Sequence, residues 1–295
     1  MIPQKISNTV PQNNQQTRDA LYQGQIFQIA PTSASLKIVH IIQGRLQDYF
    51  GNHPRLAQQE LPEKVFFEKM GALRKELYTE AKYHRLIREC IASLGFDNQE
   101  VAFDPLRLRV INHNGHHNPL AAPVYYPHRD TWYGHPPSLI TWWIPLDDLT
   151  KEETFEFYPE RFDQPIPNSS EIFDYDEWIS KGWDLKIGWQ RVSEQDRLQY
   201  PSVLGEPNRG AVMEFSCQKG ENLLFAGAHF HATKPQSFYR TRFSLDFRIV
   251  DLRDFRNGKG APSVDDHSTG TAISDYIQPG QSTWSHSQLL NSPIS

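Results

Sequence analysis

Cysteine is almost absent from this chain: Cys90 and Cys217 are the two in 295 residues. So few thiols exclude a disulfide framework, suit a reducing compartment and leave both residues expected as free thiols. Long apolar runs are missing too, and none approaches the roughly 18 residues that cross a bilayer. The first twenty residues are polar and rich in Gln and Asn, without the apolar centre of a secretory signal. The expected setting is therefore cytoplasmic, away from membranes. Basic charge is not in excess either. A formal charge of −5 gives no general attraction to nucleic acid or to an anionic membrane. What remains is a globular composition, long enough for one large core or two small ones.

In chain order, 1–20 reads as a disordered lead, because it offers little apolar surface to offset ordering entropy. A single domain is expected over 21–256. Leu21 to Ile29 is a candidate strand. A helical layer at about 33–95 follows: Leu36, Val39, Ile42, Leu46 and Tyr49 recur at helical spacing up to Gly51, and a second stripe runs from Phe66 to Leu94 before Gly95. Beyond residue 100 the texture becomes short strands separated by turns. The candidates are Leu106 to Ile111, Val124 to Asp130, Leu139 to Leu146, Thr154 to Tyr158, Ala211 to Ser216, Asn222 to Phe225, His229 to Thr233 and Arg240 to Val250. Helices first and many short strands later predict a mainly β fold, its β core at about 105–250 packed against N-terminal helices.

Residues 159–210 break the pattern, with five prolines and with Trp178, Trp183 and Trp189 between them. A loop this long and this aromatic reads as a lid insertion over the mouth of the core. Acidic side chains outnumber basic ones by about two to one between 147 and 210, which is either a solvated surface or a lid that attracts a cationic substrate. From 257 to 295 the chain is rich in Ser, Gly, Thr and Asp and reads as a tail, although Tyr276, Ile277 and Trp284 can dock.

The chemistry centres on Tyr125-Tyr126-Pro127-His128-Arg129-Asp130. On an extended strand His128 and Asp130 face the same way and Arg129 faces away. A facing strand carries His229 and His231 on one side, and either can complete a set of two imidazoles and one carboxylate. Such a set leaves metal positions open and suits non-haem Fe(II) and oxygen chemistry. That second strand leads to Arg242, Ser244, Asp246 and Arg248, which alternate with Phe243, Leu245, Phe247 and Ile249 and so share one polar face.

Together, His128-x-Asp130, His231 and Arg242 resemble the Fe(II)/2-oxoglutarate-dependent dioxygenases, in particular the branch of phytanoyl-CoA dioxygenase and ectoine hydroxylase. In that branch the distal histidine is followed by a hydroxyl residue two positions later and by an arginine eleven positions later. Thr233 and Arg242 stand at those offsets from His231, so the resemblance favours His231 over His229. It implies a double-stranded β-helix (jelly-roll or cupin-like) over roughly 105–250, Fe(II) on His128, Asp130 and His231, and 2-oxoglutarate and dioxygen as cosubstrates. Arg242 would grip the distal carboxylate of 2-oxoglutarate, with Thr233 and Ser244 as hydroxyl donors and Arg240 as the alternative arginine. The implied reaction hydroxylates an aliphatic carbon of a small molecule and releases succinate and carbon dioxide. Halogenating relatives replace the acidic ligand by a small residue, so Asp130 disfavours halogenation.

The neighbouring residues have two readings each. Trp142 and Trp143 alternate, so one faces inward, as core packing or, for Trp143, as a wall beside 2-oxoglutarate. Tyr125, Trp132 and Tyr133 flank the motif and can stack on substrate or simply pack, while Arg107 and Arg109 can each meet an anionic substrate or a surface carboxylate. His229, if not a ligand, is a candidate substrate contact. His113, His116 and His117 read as a solvated turn. The chain departs from the family at Thr154 to Asp163, where relatives carry an Asn-Gly turn and a Pro-Gly-Ser-His stretch; the difference falls where the lid begins and leaves the iron chemistry alone. An acidic, tryptophan-bearing lid suits a polar or cationic metabolite better than an acyl thioester. The expectation is a tailoring hydroxylase of secondary metabolism, resembling the cylindrospermopsin-type alkaloid hydroxylases. The rivals are a non-catalytic β-helix binding protein and a cupin-type metalloenzyme that needs no 2-oxoglutarate.

Overall fold

The computed structural model describes residues 6–118, 121–180 and 200–284. Five helices open it: α1 (Asn14–Tyr22), α2 (Ser33–Phe50), the single turn α3 (Ala57–Glu60), α4 (Glu63–Thr79) and α5 (Ala81–Ser93). α2 starts where the Thr32 and Ser35 side chains cap one another's backbone N–H groups, and it stops at Gly51, whose φ of 79° suits glycine. Its buried stripe is Ile38, Val39, Ile42, Leu46 and Phe50 rather than the expected set, since Leu36 is exposed. The second helical stretch divides at Glu80, which is extended. No helix of the described residues is long and apolar enough to cross a membrane.

The strands are β1 (Ile6–Ser7), β2 (Ile26–Ile29), β3 (Val101–Phe103), β4 (Arg107–Ile111), β5 (Leu139–Pro145), β6 (Phe155–Phe157), β7 (Asn222–Ala226), β8 (His231–Thr233) and β9 (Arg242–Asp251). Seven form one sheet in the order β1-β2-β7-β5-β9-β3, with β4 also paired to β9; β1 and β2 are parallel and the other pairs antiparallel. β6 and β8 form a second, two-stranded sheet. Register fixes what each face of β9 meets. Phe243, Leu245, Phe247 and Ile249 join Trp142 and the stripes of α2, α4 and α5 in one core, where each fully buried large side chain contributes about 1.5–3 kcal/mol. Arg242, Ser244, Asp246 and Arg248 share the other face with Thr141 and Trp143 of β5. Between the two sheets lies a smaller cluster that includes Trp143, Phe155, Phe157, Phe215 and Phe225.

Four expectations are corrected. Helix outweighs strand, so the chain is not mainly β. Residues 6–20 are not a loose lead: β1 pairs with β2, and α1 buries Arg18, which pairs with Asp251 at 3.2 Å and Asp254 at 2.6 Å. Neither 124–130 nor 211–216 is a strand. The first is two 3-10 turns around an isolated bridge, and the second has the single bridge Phe157–Met213, with Leu149–Cys217 just beyond it. Pro123 and Pro127 lack the N–H that a ladder needs, which explains the first case. Finally, 257–284 is built into the molecule: Asp265, Tyr276 and Ile277 are buried, and Ile277 bridges to Phe103. Trp183 and Trp189 lie outside the described residues.

Candidate metal centre

His128, Asp130 and His231 meet. One ligand atom from each lies within 4.8 Å of the others, and among the described residues this is the one such group of three or more. The convergence does not come from strand alternation. His128 and His231 exchange backbone hydrogen bonds of 2.9 and 3.0 Å, and Asp130 then opens a 3-10 turn that ends at Gly134. Gly227 makes room for it, since a Cβ there would lie 2.7 Å from Leu139 Cδ2 and 3.4 Å from Asp130 Cβ.

Each imidazole is oriented by the main chain. The Nδ1 of His128 lies 2.7 Å from the Tyr126 carbonyl, and that of His231 2.9 Å from the His229 carbonyl. A carbonyl only accepts, so Nδ1 carries the proton and Nε2 keeps its lone pair for a metal. Burial lowers both pKa values, that of His231 to about 3, so both rings are neutral near pH 7. Asp130 accepts from Thr141 Oγ1 at 2.5 Å and meets Arg248 Nη2 at 3.3 Å. Burial raises its pKa, but Arg248 and the histidines more than reverse that and hold the carboxyl well below its usual range. Two neutral imidazoles and one carboxylate are the donor set that suits Fe(II).

Arg242 is 3% exposed. Its guanidinium donates to the Glu153 carbonyl at 3.1 Å and lies 5.9 Å from the Trp143 ring centre, while its buried Nε has no partner among the described residues. Burial lowers its pKa to about 10, still cationic at neutral pH. Arg240, the alternative, instead pairs with Glu153 at 2.8 Å. A cavity of about 280 Å³ brings His128, Asp130, His231, Arg242, Thr233 and Trp143 to one wall system. Ser244 is fully buried on the same sheet face, does not line the cavity, and leaves its Oγ without a partner among the described residues.

The flanking residues divide. Arg109 lines the cavity and pairs with Asp246. Tyr125 does not line it, but belongs to an adjoining hollow with Asn112 and His113. Trp132 is core: it packs on Phe230 and donates to Asp265 at 2.9 Å. His229 is also structural, because its ring nitrogens lie 3.1 Å from the carbonyls of Ala226 and Gly24 and it does not line the cavity. β8 begins at His231, so the two histidines do not share a strand face.

Sequence reasoning gave no role to Thr141, Asp104 or Arg248, which join Asp130 and Arg107 in the chain Asp130–Arg248–Asp104–Arg107. A signal existed: Thr141 alternates with Trp143, and Arg248 shares the Arg242 face. Phe173, Tyr175, Trp178 and Tyr200, from the described parts of 159–210, line the cavity, but none of that segment's described acidic side chains does.

No protein-family model matches this chain, and no curated protein matches it. Solved structures do. EvdO2 from Micromonospora carbonacea var. aurantiaca, complexed with 2-oxoglutarate, is 11% identical, with 83% of this chain and 93% of that chain covered at a TM-score of 0.41. ThoJ, described as a non-heme monooxygenase, is 13% identical over 79% and 76% at 0.43. The epimerase SnoN, in complex with Fe3+, alpha ketoglutarate and nogalamycin RO, is 12% identical over 79% and 83% at 0.40. At TM-scores below 0.5 these likenesses carry no weight for what this chain does.

Proposed function

We propose that this protein is an Fe(II)- and 2-oxoglutarate-dependent oxygenase acting on a small molecule. One observation carries the reading: two neutral imidazoles and a carboxylate converge in a cavity that also holds the buried guanidinium of Arg242. His128, Asp130 and His231 hold the iron. Arg242 binds the distal carboxylate of 2-oxoglutarate through its planar fork, with Thr233 as hydroxyl donor and Trp143 as the wall beside it. Iron with 2-oxoglutarate and dioxygen supplies the oxidation, with succinate and carbon dioxide as co-products. Thr141 and Arg248 keep the Asp130 carboxylate ionised and aimed, and the aromatic side chains from 159–210 exclude water.

The finer reading is hydroxylation of an aliphatic carbon in natural-product tailoring, on a double-stranded β-helix whose lesser half is the β6–β8 pair with its bridges. It treats 6–256 as one oxygenase domain, with the following segment docked on it. Anaerobic addition of Fe(II) and then 2-oxoglutarate to the apoprotein tests the function. A weak visible charge-transfer band that needs both additions is expected. No band, or one that forms equally with Fe(II) alone, would favour a binding protein or a cupin-type enzyme instead.

A further inference from the structure

The polar wall holds two arginines that neither metal nor cosubstrate binding employs. Arg107 and Arg109 stand at alternate positions of β4, opposite Asp246 and Ser244 of β9, and both line the cavity beside His128 and Asp130. Each is held from behind through Nε. Arg107 donates to Asp104 Oδ2 at 3.1 Å, and Arg109 to Asp246 Oδ2 at 2.6 Å. The terminal Nη groups of both have no hydrogen-bond partner among the described residues. A guanidinium clamped through Nε presents its Nη pair as a rigid planar fork, the shape that takes a carboxylate by two hydrogen bonds.

Two positions apart on one face of β4, they can converge on a single carboxylate, and Arg107 lies 5.9 Å from the Tyr78 ring centre. The charge balance points the same way. Among the described residues five arginines line the cavity, namely Arg74, Arg107, Arg109, Arg242 and Arg248, against Asp130 and Asp246 in the lining and Asp104 behind Arg107 and Arg248. Tyr133, Phe173, Tyr175, Trp178 and Tyr200 supply an aromatic wall. The cavity is therefore cationic and aromatic, in contrast to the acidic composition of the 147–210 segment.

We infer that the substrate is an organic carboxylate with a flat or apolar body, its carboxylate gripped by Arg107 and Arg109 and its body against Tyr133 and the lid aromatics. The word substrate rests on the oxygenase reading; the anion site does not. Binding of 3-phenylpropanoate tests it, with 3-phenylpropanamide and 3-phenylpropylamine as neutral and cationic counterparts. All three are titrated by calorimetry into the metal-free full chain and into the chain loaded with Mn(II) and saturating 2-oxoglutarate.

The carboxylate should bind about tenfold or more tightly than either counterpart. Arg107→Gln and Arg109→Gln should each abolish most of that preference while 2-oxoglutarate affinity stays within about twofold of the parent. If Arg107→Gln fails to fold, Arg107→Lys keeps the charge beside Asp104 but loses the fork, and it should still weaken the carboxylate selectively. Equal binding of the amine or amide, or no carboxylate binding at millimolar concentration, overturns the inference. So does a loss of 2-oxoglutarate rather than probe affinity in the two variants, because the arginines would then serve the cosubstrate. Failure of the oxygenase reading looks different: the parent chain would not bind 2-oxoglutarate, while Arg-dependent carboxylate binding persisted in the metal-free chain.

Discussion

Asp265 ties the segment after β9 to the metal motif, and replacing it with alanine should be costly. Arg129, between two of the proposed ligands, is 1% exposed and Asp265 4%, with 3.0 Å between Nε and Oδ1. Asp265 also accepts from Trp132 Nε1 at 2.9 Å and from the Ile166 amide at 2.9 Å. Breaking a buried pair from one side costs about 3–5 kcal/mol, because the surviving charge is left uncompensated. Two orphaned donors add to that, about 1 kcal/mol each. Four carbonyls, those of Arg161, Phe162, Gln164 and Ala228, still solvate the Arg129 guanidinium and offset part of the loss. The balance is about 4 kcal/mol for Asp265→Ala, a large share of the 5–15 kcal/mol that folded chains possess. Urea unfolding followed by tryptophan fluorescence reads it directly. The double variant Arg129→Met with Asp265→Ala buries no lone charge and should lose less than the two single losses added together. A single-variant loss below about 1 kcal/mol, or strict additivity in the double variant, would refute a pair that staples the segment down.

Thr141→Val removes the hydroxyl that holds Asp130 Oδ2, and metal affinity should fall about 10–100-fold while the unfolding midpoint moves little. A metal titration showing less than a twofold change contradicts that role. His231→Ala should abolish metal binding. His229→Ala should keep it and lose about 1–3 kcal/mol of stability, since that ring packs among Phe157, Phe162 and Phe225 and donates its one N–H to a backbone carbonyl; the reverse pattern would move the ligand role to His229. Burial raises the Glu76 pKa, but hydrogen bonds from Arg45 and Tyr83 and the charges of Arg45 and Lys82 outweigh it and hold it at about 2. A carboxyl held lower in the folded state contributes stability above its unfolded pKa and loses it as pH falls from about 4.3 toward 2. Glu76→Gln should therefore cost about 1–2 kcal/mol at pH 7, allowing for the partly exposed Arg45 and Lys82, and should flatten the stability curve between pH 5 and 2. Denaturant midpoints measured across that range check it.

What the sequence disclosed depended on whether the signal was local. The Gly51 stop of α2 is written at the helix end itself, and the alternation of β9 is a period that can be counted. The pairing of Arg18 with Asp254 and of Arg129 with Asp265 joins residues more than a hundred positions apart and leaves no periodic trace, so both chain ends read as loose. Residues 124–130 misled for a physical reason: Tyr125, Tyr126 and Val124 favour strands, while Pro123 and Pro127 prevent a ladder. The ligands converge anyway, because a single bridge to His231 and one 3-10 turn do what a strand would have done. The polar face of β9 was the strongest clue that alternation alone could not finish interpreting. Every residue of that strand is buried, so each charge on it needs a partner or a ligand. Asp246 has Arg109, and Arg248 has Asp104 and Asp130. Arg242 has a single hydrogen bond to a backbone carbonyl among the described residues, and no carboxylate. A buried guanidinium left in that condition in one cavity with the three proposed metal ligands is the physical reason to expect an acid there that the chain itself does not supply.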